Sequence, residues 1–302
     1  MLRFGLLGTG YWAAETQAAG LHGHPDAEFV GVWGRDPAKA QTLAQRYGTR
    51  AYPDLDALIG DVDAIAVALP PDVQGKLALR AARAGRHLLL DKPVALTTSA
   101  ADALIEALSA KGLSSLVFLT NRYRPEFEEF LAQAVATGGW FGSRTTLYGA
   151  NFVPGNPYAD SPWREEKGGL WGLGPHGLAS IVPVLGPVAE VSAMDAPRKT
   201  YHVLLRHAGG AVSTLHLSIH LTPEAVTWET VLLGDAGPLI LPTLTTDKVD
   251  AFRAAVARLV GNVSAGVTHD PLDVRAGRDA VAVLEAVQTA ATEGRTVRME
   301  GV

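Results

Sequence analysis

The sequence contains no cysteine and little charge, since Asp, Glu, Lys and Arg make up 19% of its 302 residues. Without cysteine the chain can form no disulfide, no thiolate zinc site and no cysteine nucleophile. The formal net charge of −5 provides no positive field for a polyanion, and the lysines and arginines are scattered without a run. We therefore expect neither nucleic acid nor an anionic membrane surface as a partner.

Long apolar runs are also missing. No stretch reaches the roughly 18 consecutive apolar residues that a transmembrane helix needs. The N-terminal "MLRFGLLGTG" lacks the basic and apolar regions of a signal peptide. We therefore expect a soluble, cytoplasmic protein. Hydrophobic residues, at 47%, suffice for one large core or two ordinary ones, and the length favours two domains.

Short apolar runs alternate with helical patterns from the N-terminus to about residue 120. The runs are "RFGLLG", "FVGVWG", "AIAVALP", "HLLLDKP" and "SLVFLT". Uninterrupted apolar strands that alternate with helices are typical of a parallel sheet covered on both faces. The pattern predicts an α/β domain over residues 1–120, a Rossmann-type, doubly wound parallel sheet.

The pattern changes after residue 120. A helical stretch leads to an alternating strand, a Gly/Pro-rich loop is predicted over 154–175, and a helix follows around "GLASIVPVLG". Longer strands come next, in which apolar and polar residues alternate, as in antiparallel strands with one covered face. We predict an α+β domain over 121–302 with an open, mostly antiparallel sheet. Whether its last helices pack back on the first domain stays open.

The first strand ends in "GLLGTGYWAA", which places Gly8, Gly10 and Ala13 as G-x-G-x-x-A before a helix. Glycine permits the tight turn and the close approach of backbone to a pyrophosphate, and the helix N-terminus supplies amide donors. Within a βαβ context this motif predicts dinucleotide binding by the segment from Gly8 to Trp12, namely Gly8, Thr9, Gly10, Tyr11 and Trp12. The alternative is a tight turn in a Rossmann-like fold that binds no cofactor.

The end of the second strand bears on the choice of cofactor. An NAD site usually carries Asp or Glu there to bind the ribose 2′-hydroxyl, but this chain has Gly34 followed by Arg35. A guanidinium suits a 2′-phosphate. Asp36 precedes Pro37 and a helical pattern, which favours a role as helix N-cap. We predict NADP(H) as the preferred cofactor, with NAD(H) as the alternative.

Three segments resemble the Gfo/Idh/MocA family of NAD(P)-dependent oxidoreductases. They are "GLLGTGYWAA", "ALPPDVQGKLALRAARAGRHLLLDKPVALT" and "GGLWGLGPHGLA". The resemblance implies hydride transfer between nicotinamide and a small hydroxylated or carbonyl substrate such as a sugar or a cyclitol. It also implies that the sheet of the second domain lines the active site and forms a homodimer or homotetramer.

The resemblance assigns roles to individual residues. Lys92 and Pro93 match the family's Glu-Lys-Pro segment, so Lys92 would orient a hydroxyl and stabilise oxyanion character. Pro70, Lys92 and Pro93 would contact the cofactor. His176 would be the general acid/base. The alternative for Lys92 is a structural salt bridge at the end of the sheet.

The chain departs from the family pattern at three positions. Gly172 replaces an aspartate four residues before the histidine, Gln74 replaces a histidine, and Asp91 replaces a glutamate. We interpret the protein as a variant dehydrogenase in which Lys92 and His176 suffice. The alternatives are a catalytically degenerate dinucleotide sensor and a non-redox enzyme that recycles hydride.

Further candidates lie near the domain junction and in the predicted loop. Asn121, Tyr123, Trp163 and Arg164 are predicted to bind substrate. Glu165 and Glu166 are less favoured substitutes for the missing acid, because adjacent charges on a loop are usually solvated. The later histidines show no partner at ligand spacing, so we predict no metal site; they are His202, His207, His216 and His220.

Overall fold

A computed structural model describes residues 1–299. Contacts between residues divide the chain into two compact units. The first contains Met1–Tyr123 and Thr246–Asp279, and the second contains Arg124–Thr245 together with the residues that follow Asp279. Residues 246–279 therefore cluster with the first unit, although they follow the predicted limit at residue 120; the prediction left open whether the last helices pack back on the first domain. In the described part of the chain, no helix is long and apolar enough to span a membrane.

The first unit contains a six-stranded parallel sheet in the order β3-β2-β1-β4-β5-β6. Its strands are β1 (Leu2–Leu7), β2 (Ala27–Trp33), β3 (Arg50–Ala51), β4 (Ala64–Val67), β5 (His87–Asp91) and β6 (Ser115–Phe118). Its main helices are α1 (Ala19–Leu21), α2 (Pro37–Tyr47), α3 (Leu55–Asp61), α4 (Pro71–Arg83) and α5 (Thr98–Ala110). This strand order confirms the predicted doubly wound sheet, with its topological switch point between β1 and β4.

The helix after the first glycine turn is not a regular α-helix. Ala13–Ala18 form a π-helical segment that continues into α1. The apolar pattern predicted a helix here but could not indicate its winding, because a single-turn π segment changes no residue preference strongly. Such segments occur frequently at functional sites.

The second unit contains a seven-stranded sheet in the order β12-β11-β7-β10-β9-β8-β13. Its strands are β7 (Trp140–Tyr148), β8 (Val188–Ala196), β9 (Thr200–His207), β10 (Val212–Ser218), β11 (Thr227–Gly234), β12 (Gly237–Ile240) and β13 (Val297–Arg298). Only β7 and β10 pair in parallel among these strands, all within the described residues, so the predicted mostly antiparallel sheet is confirmed.

The remaining helices are α6 (Pro125–Thr137), α7 (Pro162–Leu185), α8 (Lys248–Ser264) and α9 (Val274–Glu293). One face of the seven-stranded sheet is covered by α7. Along β10, Leu215 and Leu217 point to the covered side and are at most 2% exposed. On the other face, Met194 and Leu204 are 73% and 48% exposed. The sheet is therefore covered on one face and open on the other.

Candidate active site

The glycine turn joins β1 to the first helix at the switch point of the parallel sheet. Gly8 has a φ of 128°, and a Cβ there would lie 2.4 Å from the carbonyl oxygen of Ala68, so only glycine fits. A Cβ on Gly10 would have no heavy atom of the described chain within 4 Å. Ala13 is 1% exposed and packs beneath the turn. The turn therefore leaves open space at the point where such sheets bind dinucleotides.

The two residues after Gly10 carry aromatic side chains. The Tyr11 side chain is 44% exposed. The Trp12 ring stacks on Phe118 with centroids 6.2 Å apart, and within residues 1–299 its buried Nε1 has no hydrogen-bond partner. A buried donor costs about 1–3 kcal/mol unless a water or a ligand accepts its hydrogen bond. The open turn and this indole N–H fit a dinucleotide cofactor, whose pyrophosphate accepts bonds at a helix N-terminus.

The end of β2 combines a required glycine with an exposed arginine. A Cβ on Gly34 would lie 2.5 Å from Cγ2 of Thr9, so an acidic side chain cannot enter without displacing that threonine. The carboxylate of Asp36 accepts bonds from Ala38 N at 3.0 Å and Lys39 N at 3.2 Å, which confirms Asp36 as the N-cap of α2. Arg35 is exposed beside them.

Lys92 lies directly after β5, in a turn held by Gln74. The Lys92–Pro93 peptide bond is cis. The Gln74 side chain is fully buried; its Nε2 donates to the carbonyls of Asp91 and Pro93 at 2.7 and 3.0 Å, and its Oε1 accepts from Asp91 N at 3.0 Å. Gln74 is thus a positioning residue for the backbone on both sides of Lys92. Its sequence signal was read only as the loss of a histidine.

Other predicted residues of the first unit have simpler surroundings. Pro70 is half-buried at the N-cap of α4, and Asn121 is half-buried in a 3₁₀ turn. Tyr123 is 7% exposed, and its hydroxyl donates to the Val117 carbonyl at 3.0 Å. Tyr123 is therefore mostly buried and hydrogen-bonded within the first unit, and its role in substrate binding stays a prediction.

The predicted loop over 154–175 is wrong from Pro162 onwards, because α7 begins there. Gly168, with φ 63° and ψ −159°, interrupts the helix, and residues 169–185 form its longer part. The prediction failed because glycine and proline usually indicate loops. Here Pro162 occupies the first turn, where proline is tolerated, and His176 lies on the helix and not after a glycine-rich turn.

Three glycines allow α7 to pack closely. A Cβ on Gly169 would lie 2.5 Å from Ser218 Cα, one on Gly174 2.5 Å from Leu284 Cδ2, and one on Gly177 2.7 Å from Leu215 Cδ2. Gly172 is different, because its nearest neighbour would be Ile219 Cδ1 at 3.8 Å, an ordinary contact. Packing therefore requires glycine at Gly169, where a Cβ would overlap backbone, and at Gly174 and Gly177 a Cβ would have to displace the end of a leucine side chain; neither constraint applies where the family has aspartate.

We expect Gly172→Ala to raise the free energy of unfolding by up to about 1 kcal/mol, because alanine favours a helix interior more than glycine does. Urea denaturation of the purified protein measures this change. The matched control is Gly169→Ala, which should lower stability because its Cβ would overlap the backbone of Ser218. If both variants lowered the free energy of unfolding equally, the predicted difference between Gly172 and Gly169 would be wrong.

His176 is half-buried on α7, beside a tryptophan that the sequence analysis did not identify. Its ring centroid lies 6.0 Å from that of Trp228, on β11. Trp228 is 53% exposed. No local pattern indicates this neighbour, because only the pairing of β11 with β7 brings residue 228 to the helix. The pair presents an imidazole and an exposed aromatic face from one unit.

His220 has an acidic partner that lies far from it in the sequence. Its Nε2 lies 3.2 Å from Oε2 of Glu165, and its ring stacks on Phe152 at 4.5 Å between centroids. Burial lowers the pKa of His220, while Glu165 opposes that change. A hydrogen bond from Lys199 is the main cause of the lowered pKa of Glu165. Glu165 therefore connects the first turn of α7 to Lys199 and His220, and it is not a charge that contacts only solvent.

The other strand histidines bond to protein atoms. His202 and His216 face each other with their Nδ1 atoms 2.8 Å apart. His207 is buried, and its ring nitrogens lie 2.7 Å from the Gly186 carbonyl and from Ser213 Oγ. Over residues 1–299, no group of three or more His, Asp or Glu side chains could hold a metal ion.

Arg164 and Trp163 form a local aromatic cluster at the start of α7. The Arg164 guanidinium carbon lies 4.2 Å from the ring centroid of Tyr158 and 4.6 Å from that of Trp163. Its Nη1 also lies 3.3 Å from Ser161 Oγ. The structure thus brings the two predicted substrate residues together, and their binding role stays a prediction.

Comparison with known proteins supports the class that the glycine turn and sheet order indicate. Residues 2–118 match the family described as oxidoreductase family, NAD-binding Rossmann fold. A dTDP-3,4-didehydro-2,6-dideoxy-alpha-D-glucose 3-reductase of Streptomyces antibioticus is 30% identical over 80% of this chain and 75% of its own length. An inositol 2-dehydrogenase of Rhizobium meliloti is 32% identical over 42% of this chain and 38% of its own length.

Solved structures share the fold over nearly the whole chain. GenD2 from gentamicin A biosynthesis, in complex with NAD, is 21% identical with a TM-score of 0.87, covering 99% of this chain and 97% of that one. A myo-inositol dehydrogenase of Corynebacterium glutamicum is 21% identical with a TM-score of 0.83, covering 100% of both. The fold and glycine turn define a nicotinamide-dependent oxidoreductase. The chain belongs to the Gfo/Idh/MocA family.

Proposed function

We propose that this protein is an NADP(H)-preferring oxidoreductase that acts on a small hydroxylated or carbonyl substrate of sugar or cyclitol type. The observation that carries the proposal is the turn after β5, where Gln74 fixes the backbone around Lys92. A buried side chain that makes three such bonds serves to hold one backbone geometry. Such a constraint is expected where a reactive side chain must be aimed.

The substrate class rests on relatives and on one aromatic side chain. The reductase of Streptomyces antibioticus and the inositol dehydrogenase of Rhizobium meliloti are named for a deoxysugar and a cyclitol. Trp228 exposes 53% of its surface beside His176. An exposed aromatic face can cover the apolar C–H face of a sugar or cyclitol ring. We propose this role for Trp228, with Asn121, Trp163 and Arg164 as further substrate contacts.

The cofactor, when bound, supplies or accepts the hydride. We propose that backbone amides after Gly10 bind its pyrophosphate. Lys92 orients the substrate oxygen and stabilises its negative charge, and His176 exchanges the hydroxyl proton. The missing carboxylate at Gly172 is compatible with turnover, because a single general acid/base contributes about 10²–10⁴-fold and His176 provides one.

The preference for NADP(H) rests on the end of β2. Thr9 lies so close to Gly34 that it leaves little room for a side chain there. The carboxylate of Asp36 already accepts two amide hydrogen bonds in the helix cap. Arg35 is the exposed cation at this place and suits a 2′-phosphate.

We expect Arg35→Ala to weaken NADPH binding about tenfold or more, since a hydrogen bond to a charged group contributes about 1.5–3 kcal/mol. NADH binding should stay unchanged, because NADH lacks the 2′-phosphate. Fluorescence titration of wild type and variant with both cofactors measures the two dissociation constants. Arg83→Ala, at the end of α4, serves as a matched surface control. Wild-type affinity that is equal for both cofactors would overturn the NADP(H) preference.

A second candidate function is a non-catalytic sensor of dinucleotide or ligand, and Gly172 is the observation that favours it. A third is a non-redox enzyme that recycles hydride. A sensor would bind cofactor and show no turnover with any sugar or cyclitol. A hydride-recycling enzyme would convert substrate without a net change in nicotinamide absorbance.

The open face of the seven-stranded sheet is proposed as the surface of a homodimer or homotetramer. Its exposed Met194 and Leu204 support this proposal, as do the neutralised pairs Arg144–Glu229 and Arg206–Glu190. Paired charges cost less to cover than unpaired ones, because each keeps a partner of opposite charge when water is removed. A cytoplasmic location is proposed with it.

A further inference from the structure

We infer that Lys248 is a cofactor-binding residue whose ammonium group neutralises the pyrophosphate of the dinucleotide. This inference rests on the proposed function and extends it to a residue far along the chain from the glycine turn. Nothing in the local sequence around Lys248 indicates such a role, since it lies at the start of an ordinary amphipathic helix.

The fold brings α8 to the glycine turn within the first unit. Phe252 of α8 packs edge-on against Phe118, with centroids 4.9 Å apart, and Gly20 makes room for the same ring. Lys248 is the first residue of α8, and Asp247 caps the helix by accepting from Val249 N at 2.7 Å. The helix is therefore anchored by its aromatic contact, which fixes where its first residue lies.

The Lys248 ammonium lies over the two aromatic residues that follow the glycine turn. Its Nζ is 5.1 Å from the ring centroid of Tyr11 and 5.7 Å from that of Trp12. These residues are the first after Gly10, at the helix start whose amides bind pyrophosphate in such folds. A half-buried cation at this place faces the most negative part of the cofactor.

Two independent features converge on the same place. A Cβ on Gly10 would meet no heavy atom of the described chain within 4 Å. The buried Nε1 of Trp12 has no acceptor among residues 1–299. Lys248 Nζ and Trp12 Nε1 are therefore two donor groups close to the open backbone at Gly10, which gives this turn a donor-rich environment. A pyrophosphate, which is made of acceptors only, is complementary to it.

The simpler explanation is that Lys248 neutralises Glu15. The Glu15 carboxylate is bound by Arg46, with Nη2 2.9 Å from Oε2. Arg46 is the main cause of the lowered pKa of Glu15; burial opposes it and Lys248 has a smaller effect. Across residues 1–299, no ion pair joins Lys248 to a carboxylate. Its charge is thus not taken up by Glu15.

The test compares NADPH and NADH affinity in wild type, Lys248→Gln, Lys248→Arg and Glu15→Gln by fluorescence titration. Lys248→Gln should weaken both cofactors by about ten- to a hundredfold, because the pyrophosphate is common to both. Lys248→Arg should retain most of the affinity, and Glu15→Gln should change it little. Arg35→Ala provides the contrast, since it should affect NADPH alone.

Each outcome decides the inference. Unchanged affinity of a folded Lys248→Gln would overturn it, as would a loss confined to NADPH or an equal loss in Glu15→Gln. Lys248→Met, which keeps the aliphatic stem, replaces the glutamine variant if thermal melting shows that the latter is unfolded. If the wild type binds neither cofactor, the proposed function fails and not the assignment of Lys248 alone.

Discussion

Lys92→Ala is expected to lower kcat by about 10²–10³-fold, because removing one preorganised donor from a developing oxyanion has an effect of this size. Affinity for NADPH should fall far less than kcat, since the glycine turn and Arg35 still hold the cofactor when the Lys92 contact is lost. Initial rates with a reactive sugar or cyclitol, together with fluorescence titration of cofactor, measure the two quantities separately. Lys111→Ala, at the end of α5, is the matched control.

A variant of Gln74 tests whether the backbone around Lys92 must be held in place for catalysis. Gln74→Leu keeps the approximate volume but removes the bonds to Asp91 and Pro93. We expect kcat to fall by less than in Lys92→Ala, and the double variant to be no worse than Lys92→Ala, because Gln74 acts through Lys92. Additive losses would show that Gln74 has a separate role. Full turnover in Lys92→Ala would remove the catalytic assignment itself.

His176→Ala is expected to lower kcat by about 10²–10⁴-fold, the usual contribution of a general acid/base. The absence of a carboxylate at Gly172 sharpens this expectation, because no second acid at that position can take over. Added imidazole should restore part of the rate in His176→Ala, since a small base can enter the space left by the missing ring. Rates measured against imidazole concentration give the result directly.

His202→Ala is the control for this experiment, because that histidine lies on the open face of the sheet and bonds to His216. It should keep full turnover and show no response to imidazole. If His176→Ala retains wild-type turnover, the proton is exchanged by another group. If neither the wild type nor any variant turns over substrate while cofactor binds, the sensor alternative is supported.

Local sequence signals predicted most of the nucleotide-binding half. Gly8 and Gly10 indicated the turn, and Asp36 with Pro37 indicated a helix start. These predictions succeeded because each depends on the backbone geometry of a few adjacent residues. The apolar runs predicted a parallel sheet for a similar reason, since strands buried on both faces need apolar residues throughout.

Helix α7 shows where such signals fail. Its glycines and prolines predicted a loop, yet Gly169 is needed for close packing of the helix on the sheet, and Gly177 leaves space that a leucine side chain fills. The sequence alone does not distinguish a glycine that permits close packing from a glycine that permits a turn. Only the neighbour that fills the space, here Ser218 or Leu215, distinguishes the two.

By itself the sequence determined the two-domain α/β class, the family, the glycine turn and the candidate pair Lys92 and His176. The tertiary structure alone decided what surrounds them: the bonds of Gln74, the aromatic neighbour Trp228 and the position of Lys248. The physical reason is the separation along the chain over which each interaction acts. Backbone propensity and capping act over a few residues, whereas these contacts join strands and helices that are distant along the chain and meet only when the cores are packed.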